Sequence, residues 1–232
     1  EVITHRGPDS KGFYTDDKIS MGFRRLSIID LDNGSQPIYN EDKTLVLMFN
    51  GEIYNYKQLR KELQEKGHVF ATDTDSEVLV HGFEEWREDL LNRLRGMFGF
   101  AIWNRTDESL FIARDFFGIK PMHYTQVGGH FLYASEIKSI LKFPGFEKKF
   151  NYRTLDNYLS FQYAVPPETF FEGVYCLLPG HYLWYRDGKV ETTRYWEARF
   201  NPDESLTEEQ AVDEIEKVFE ESVNAHKISD VE

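Results

Sequence analysis

The order of elements along the chain predicts an α+β architecture built mostly from antiparallel sheets. Short β-branched and aromatic runs bounded by turn residues fill the first two thirds, two helical patterns interrupt them, and regular strand-helix-strand alternation is absent. The candidate strands are 18–24, 44–50, 99–104, 109–115, 123–127 and 131–135.

The first helical pattern, 56–66, places Leu59 and Leu63 four residues apart on one face. The second, 76–86, gathers Val78, Leu79, Gly82 and Phe83 on one side and Glu84 and Glu85 elsewhere, with Asp75 or Ser76 as its N-cap. Near 199–205 the sequence turns polar and contains Pro202, a linker signal. Beyond it Thr207 can cap a helix carrying Ala211, Val212, Ile215, Val218, Phe219 and Val223 at helical spacing. An apolar stripe of that kind needs a covering surface, supplied by a further domain or by docking on the same one.

At 232 residues with 41% hydrophobic and 16% aromatic content, the chain can bury a substantial core, organised as one large domain or as one domain with an appendage. A formal charge of −13 argues against nonspecific binding to nucleic acid or to an anionic membrane, which relies on clustered Lys and Arg. No run approaches the roughly 20 apolar residues of a membrane span, and no signal peptide opens the sequence. A single cysteine cannot close an internal disulfide, which fits a cytoplasmic setting. The seven histidines are scattered, without HExxH or CxxC spacing, so no metal site is expected.

Three segments in order carry the chemistry: Arg25-Leu-Ser-Ile-Ile-Asp30, Asn50-Gly-Glu-Ile-Tyr-Asn55 and Asp73-Thr-Asp-Ser-Glu77. An arginine, an Asn-Gly pair and carboxylates are the groups needed to hold an amino acid by both charged ends and to polarise a side-chain carbonyl. Each residue also has a plainer reading. Asn50-Gly51 between two β runs favours a type I′ hairpin turn. Arg25 can be an exposed strand-end arginine, and Arg24 beside it is a rival. Asp75 can be a helix cap, and Asp73 is its rival two residues away. The lone Cys176 lies in an apolar run, Val174-Tyr-Cys-Leu-Leu-Pro-Gly180, with no base close by in sequence, and is expected to be a buried structural thiol; His181 could partner it only with a sequence-distant third group.

Together with His5-Arg-Gly-Pro-Asp9 before them and Arg114-Asp-Phe-Phe-Gly-Ile-Lys-Pro121 after them, these segments resemble the glutaminase domain of glutamine-dependent asparagine synthetases, class II amidotransferases of the N-terminal-nucleophile hydrolase superfamily. The resemblance covers residues 3 to about 196. It implies a four-layer αββα sandwich, here lacking its first strand and helix. Residues 1–198 would form the glutaminase domain, and 199–232 a linker and first helix leading to a synthetase domain that this sequence does not contain.

By the same resemblance, Asn50 (side-chain amide) and Gly51 (backbone N–H) form the oxyanion hole. Arg25 takes the glutamine α-carboxylate, Leu26, Ser27, Ile28 and Ile29 wall the pocket, and Glu52 and Asp75 hold the α-ammonium. The family nucleophile is a mature N-terminal cysteine, whereas residue 1 here is Glu, so the chain alone is expected to be inactive. The implied partners are glutamine, the synthetase domain and a second copy in a homodimer. No cofactor is expected in this segment; ATP and Mg belong to the synthetase domain. The competing functions are amidation of another carboxylate acceptor and noncatalytic glutamine binding.

Overall fold

Along Leu45–Ile53 successive side chains face opposite sides, yet both sides are buried: Leu45, Leu47 and Phe49 enter one core, and Val46 and Met48 the other. The same split recurs on two neighbouring strands, Phe98, Phe100 and Ile102 opposing Ala101 and Trp103, and Phe111 and Ala113 opposing Leu110 and Ile112. A sheet covered on both faces explains why these runs are almost continuously apolar in the sequence.

The computed structural model describes residues 2–25 and 35–227. In chain order the elements are β1 (Ser10–Thr15), β2 (Ser20–Arg25), β3 (Ile38–Tyr39), β4 (Leu45–Ile53), α1 (Tyr56–Glu65), α2 (Glu77–Trp86), β5 (Gly96–Asn104), β6 (Ser109–Arg114), β7 (His123–Val127), β8 (His130–Ala134), α3 (Ile137–Ile140), α4 (Tyr152–Phe161), β9 (Tyr175–Cys176), β10 (His181–Arg186), β11 (Lys189–Arg194) and α5 (Glu208–His226). Every strand pairing among the described residues is antiparallel. The central sheet runs β11-β10-β6-β5-β4-β3, flanked by the β1-β2 hairpin and a β8-β7-β9 sheet.

Helices α1 and α2 cover one face of the central sheet. Leu59 and Leu63 of α1 and Val78, Leu79, Val80 and Phe83 of α2 are buried against β4, β5 and β6. Each such aliphatic side chain, fully buried, stabilises the fold by roughly 1.5–3 kcal/mol. The other face packs Met21, Tyr14 and Phe23 of the hairpin and Tyr124, Phe131 and Tyr133 of the β7-β8 pair. The layering is therefore helices, central sheet, then a second sheet layer in two pieces, with α3 against β7 and β8.

The expected strands and both early helices are present, with ends displaced by a few residues. One displacement is informative: the strand expected over 44–50 continues to Ile53, so Asn50-Gly51 lies inside β4, opposite Gly99 and Phe98, and makes no hairpin turn. Strands β1, β3, β10 and β11 and helices α3 and α4 were not expected. β11 and α4 expose most of their side chains and β1 exposes half of its own, which weakens the apolar signal. Thr207 caps α5 through a reciprocal capping box with Gln210. At α2 the capping expectation fails: Ser76 occupies the cap position without a side-chain cap bond.

The apolar stripe of α5 is open to solvent, with Ile215 68% and Phe219 70% exposed. Near its end the His226 ring lies 4.2 Å from that of Tyr54. No helix among the described residues is long and apolar enough to cross a membrane.

Candidate functional site

The end of β4 gathers the expected groups in sequence. Asn50, Gly51 and Glu52 are half-exposed, while the strand on either side of them is buried. Strand alternation puts the Asn50 and Glu52 side chains on one face. Asn50 lies on the floor of a cleft of about 1040 Å³ between β2 and the β7-β8 pair, with Met48 and Gly99 beside it. Gly51 has to be glycine: a Cβ there would collide with the Met97 carbonyl oxygen and come within 2.8 Å of the Phe98 Cα.

Asp75 reaches this strand end from the segment before α2, where its Oδ2 accepts the Ile53 backbone N–H at 2.8 Å. It is 6% exposed. Burial, aided by the neighbouring Glu52 charge and opposed by the Ile53 N–H, pushes its carboxyl up to about 6. A cationic group bound between Asp75 and Glu52 would relieve this repulsion. Asp73, the rival, is paired with Arg60 of α1 at 3.1 Å, and its side chain is 93% exposed.

Arg25 ends β2, which packs against β4, and is 9% exposed; Arg24 is more exposed. The His5–Asp9 segment lies against the Arg25 backbone. A Cβ on Gly7 would meet the Arg25 nitrogen at 2.5 Å, and Asp9 N–H donates to the Arg25 carbonyl at 3.1 Å. Arg6 lines the cleft and, with His5, pairs with Glu136. Asn50, Gly51, Glu52 and Asp75 are thus brought together, whereas Arg25 ends the strand that packs on β4 and Arg24, its rival, lines the cleft that holds Asn50. Leu26, Ser27, Ile28 and Ile29 lie outside the described residues.

Two groups that brace the site had no distinct local signal. Gln36 clasps the backbone of Phe49, its Nε2 donating to the carbonyl at 2.8 Å and its Oε1 accepting the N–H at 2.7 Å, so the residue before Asn50 is paired as if by another strand. Asp115 accepts from the N–H groups of Ile119 and Lys120, both at 2.9 Å, and from that of Phe98 at 3.3 Å. Phe98 stands opposite Gly51, so the Arg114–Pro121 loop buttresses the strand behind the candidate oxyanion donors.

Cys176 is half-buried rather than fully buried, at the end of β9. Its sulfur faces a cation: Arg114 Nη1 lies 3.0 Å from Sγ while also donating to the Leu177 carbonyl at 2.6 Å. His181 is engaged elsewhere, its Nδ1 2.8 Å from the Pro179 carbonyl oxygen. Cys176 therefore has a structural arginine as its neighbour and is not paired with His181 as a nucleophile would be.

Residues 1–196 match the family model of the glutamine amidotransferase domain. The chain belongs to this family. Among curated relatives, asparagine synthetase [glutamine-hydrolyzing] 1 of Bacillus subtilis (strain 168) is 43% identical over 232 residues, covering 100% of this chain and 36% of the relative. Asparagine synthetase [glutamine-hydrolyzing] 2 of the same strain is 38% identical, covering 100% and 32%. The chain therefore spans about a third of the length of these relatives. Among solved structures, the glutamine phosphoribosylpyrophosphate amidotransferase from B. subtilis, complexed with ADP and GMP, superposes with a TM-score of 0.53 at 22% identity, covering 77% of this chain and 35% of that one. That likeness shows the fold alone, and it agrees with the layering of antiparallel sheets described above.

Proposed function

We propose that this chain is the glutamine-binding part of a glutamine-hydrolysing asparagine synthetase, supplying ammonia for the amidation of aspartate. The observation that carries this reading is the convergence at the end of β4: Asn50, Gly51 and Glu52 are consecutive, and Asp75 is bonded to the backbone of Ile53. Arg25 supplies a planar fork for the substrate α-carboxylate. Glu52 and Asp75 supply negative charge for its α-ammonium.

In the complete enzyme a cysteine thiolate preceding residue 1 attacks the side-chain amide carbon. The carbonyl oxygen becomes an oxyanion held by the Asn50 amide and the Gly51 N–H. The cysteine's own α-amine, having taken the thiol proton, returns it as ammonium to the leaving nitrogen, so that collapse of the intermediate expels ammonia and leaves a thioester. Water then releases glutamate and restores the thiol. The solvent-open apolar face of α5 is covered by the following synthetase domain, which binds ATP and Mg.

The experiment is ammonia release from glutamine by the full-length protein. Asn50→Ala is expected to lower kcat about 10²–10³-fold, the effect of losing one oxyanion donor, and the 232-residue chain alone is expected to release none. Unchanged turnover in the variant, or hydrolysis by the chain alone, contradicts the reading.

A further inference from the structure

The fold assembles a second polar centre from three separated segments. His81 projects from the middle of α2, His68 lies just after α1, Glu41 sits in the β3-β4 turn, and Glu84 is one turn along α2 from His81. One ligand atom from each of the four lies within 4.8 Å of all the others.

His81 distinguishes this cluster from an ordinary patch of surface charge. It is 1% exposed, and its Nδ1 has the Glu41 carboxylate 3.2 Å away but makes no well-aligned hydrogen bond to it. Its other nitrogen, Nε2, is 3.3 Å from Oε1 of Glu77, which is 2% exposed. Glu77 acts as an acceptor throughout, receiving the backbone N–H of Ala71 at 2.6 Å and of Thr72 at 2.7 Å and the Thr72 hydroxyl at 2.6 Å. A carboxylate in that position keeps the proton on Nε2 and leaves a lone pair on Nδ1, the arrangement in which a buried carboxylate orients a metal-bound imidazole.

The spacing around that lone pair fits an ion. His81 Nδ1 is 3.2 Å from Glu41 Oε2, His68 Nδ1 is 3.4 Å from Glu41 Oε1, and His68 Nδ1 is 4.0 Å from Glu84 Oε2. Ligands at 2.0–2.2 Å from a tetrahedral centre stand roughly 3.3–3.6 Å apart. Small rotations of the two partly exposed glutamates would bring all four groups to that separation. Asn40 Nδ2, 3.2 Å from Glu84 Oε2, adds an outer hydrogen bond.

From this geometry we propose that His68, His81, Glu41 and Glu84 form a site for a divalent transition ion of the zinc class, with Glu77 as the positioning residue of His81. Two imidazoles and two carboxylates match the borderline preference of such ions over Mg or Ca, which favour all-oxygen sets. The ligands escape notice in the sequence because they come from a strand turn, a post-helix loop and a helix, with no short repeat between them. A bound ion would tie α1, α2 and the central sheet together.

The test uses the 232-residue protein stripped with a chelator and titrated calorimetrically with ZnCl2, with CoCl2 absorption as a second readout. The expected result is one equivalent bound at micromolar or tighter affinity, intense visible bands of four-coordinate cobalt, and a Tm rise of about 5–10 °C at a hundredfold excess over Kd. His68→Gln with Glu84→Gln, both partly exposed and checked for folding by circular dichroism, should abolish the stoichiometric binding. Glu77→Gln should weaken it about 10–100-fold. No binding by the stripped protein, or equal binding by the double variant, overturns the proposal.

Discussion

Asp75 accepts the backbone N–H of Ile53 at 2.8 Å, so the segment leading into α2 is fastened to the strand end that carries Asn50, Gly51 and Glu52. The carboxylate is thereby committed to the sheet and unavailable for capping its own helix. Its burial beside Glu52 raises its pKa, which makes Asp75 costly in the absence of a bound cation.

That cost has a definite sign. Asp75 rises from 3.8 to about 6 in the folded state, so the fold holds its proton more tightly than the unfolded chain does. The resulting stabilisation is complete below about pH 4 and is lost as pH climbs through about 6, a difference of about 3 kcal/mol. Asp75→Asn, which keeps an acceptor for Ile53, should therefore be more stable than the natural protein at pH 8 by up to about 3 kcal/mol. Denaturant titrations at pH 4 and pH 8 check this; a gap of equal size at both pH values would refute it.

At Gly51 a methyl group would strike the backbone of β5. Gly51→Ala is expected to destabilise by about 3 kcal/mol, because backbone cannot move aside as a side chain can. Gly99, opposite Asn50, provides the control: a Cβ there would first meet the flexible Met122 side chain at 3.4 Å, and Gly99→Ala should cost less than about 1 kcal/mol. Urea midpoints of the two variants measure the contrast.

The clasp of Gln36 on Phe49 supports Asn50 indirectly. Removing it with Gln36→Ala deletes two hydrogen bonds worth about 1 kcal/mol each. Amide exchange at Phe49 should accelerate while exchange in β6 stays unchanged. Equal acceleration in both strands would mean that global stability, rather than the local clasp, has been lost.

Ile215→Gln with Phe219→Gln tests the covering of α5. Both side chains are solvent-open, so the 232-residue chain should change by no more than about 0.5 kcal/mol. The full-length protein should lose stability, because the proposed synthetase domain would cover the face there. A loss in the short chain would place the face against its own domain.

Much of this architecture was legible because β4, β5 and β6 are buried on both faces and read as long apolar runs, and because Leu59, Leu63 and Phe83 keep helical spacing. Asn50-Gly51 shows where local reading stops: the dipeptide favours a turn, but pairing with Gly99 and Phe98 carries it through as strand. Gln36 and Asp115 were opaque for a related reason, since their bonds go to backbone groups rather than to partners with a sequence signature. His81 and His68 share no motif and meet only when α1 and α2 pack together.

The central claim is that the β4 end and Asp75 receive glutamine, and the most direct measurement is an amide NMR titration of this chain with L-glutamine. The account predicts saturable shifts at Gly51 and Ile53 that weaken as pH falls below about 6, vanish in Asp75→Asn, and are absent with the analogue lacking the α-amine. Shifts elsewhere, or the same response to the analogue and in the variant, would contradict it.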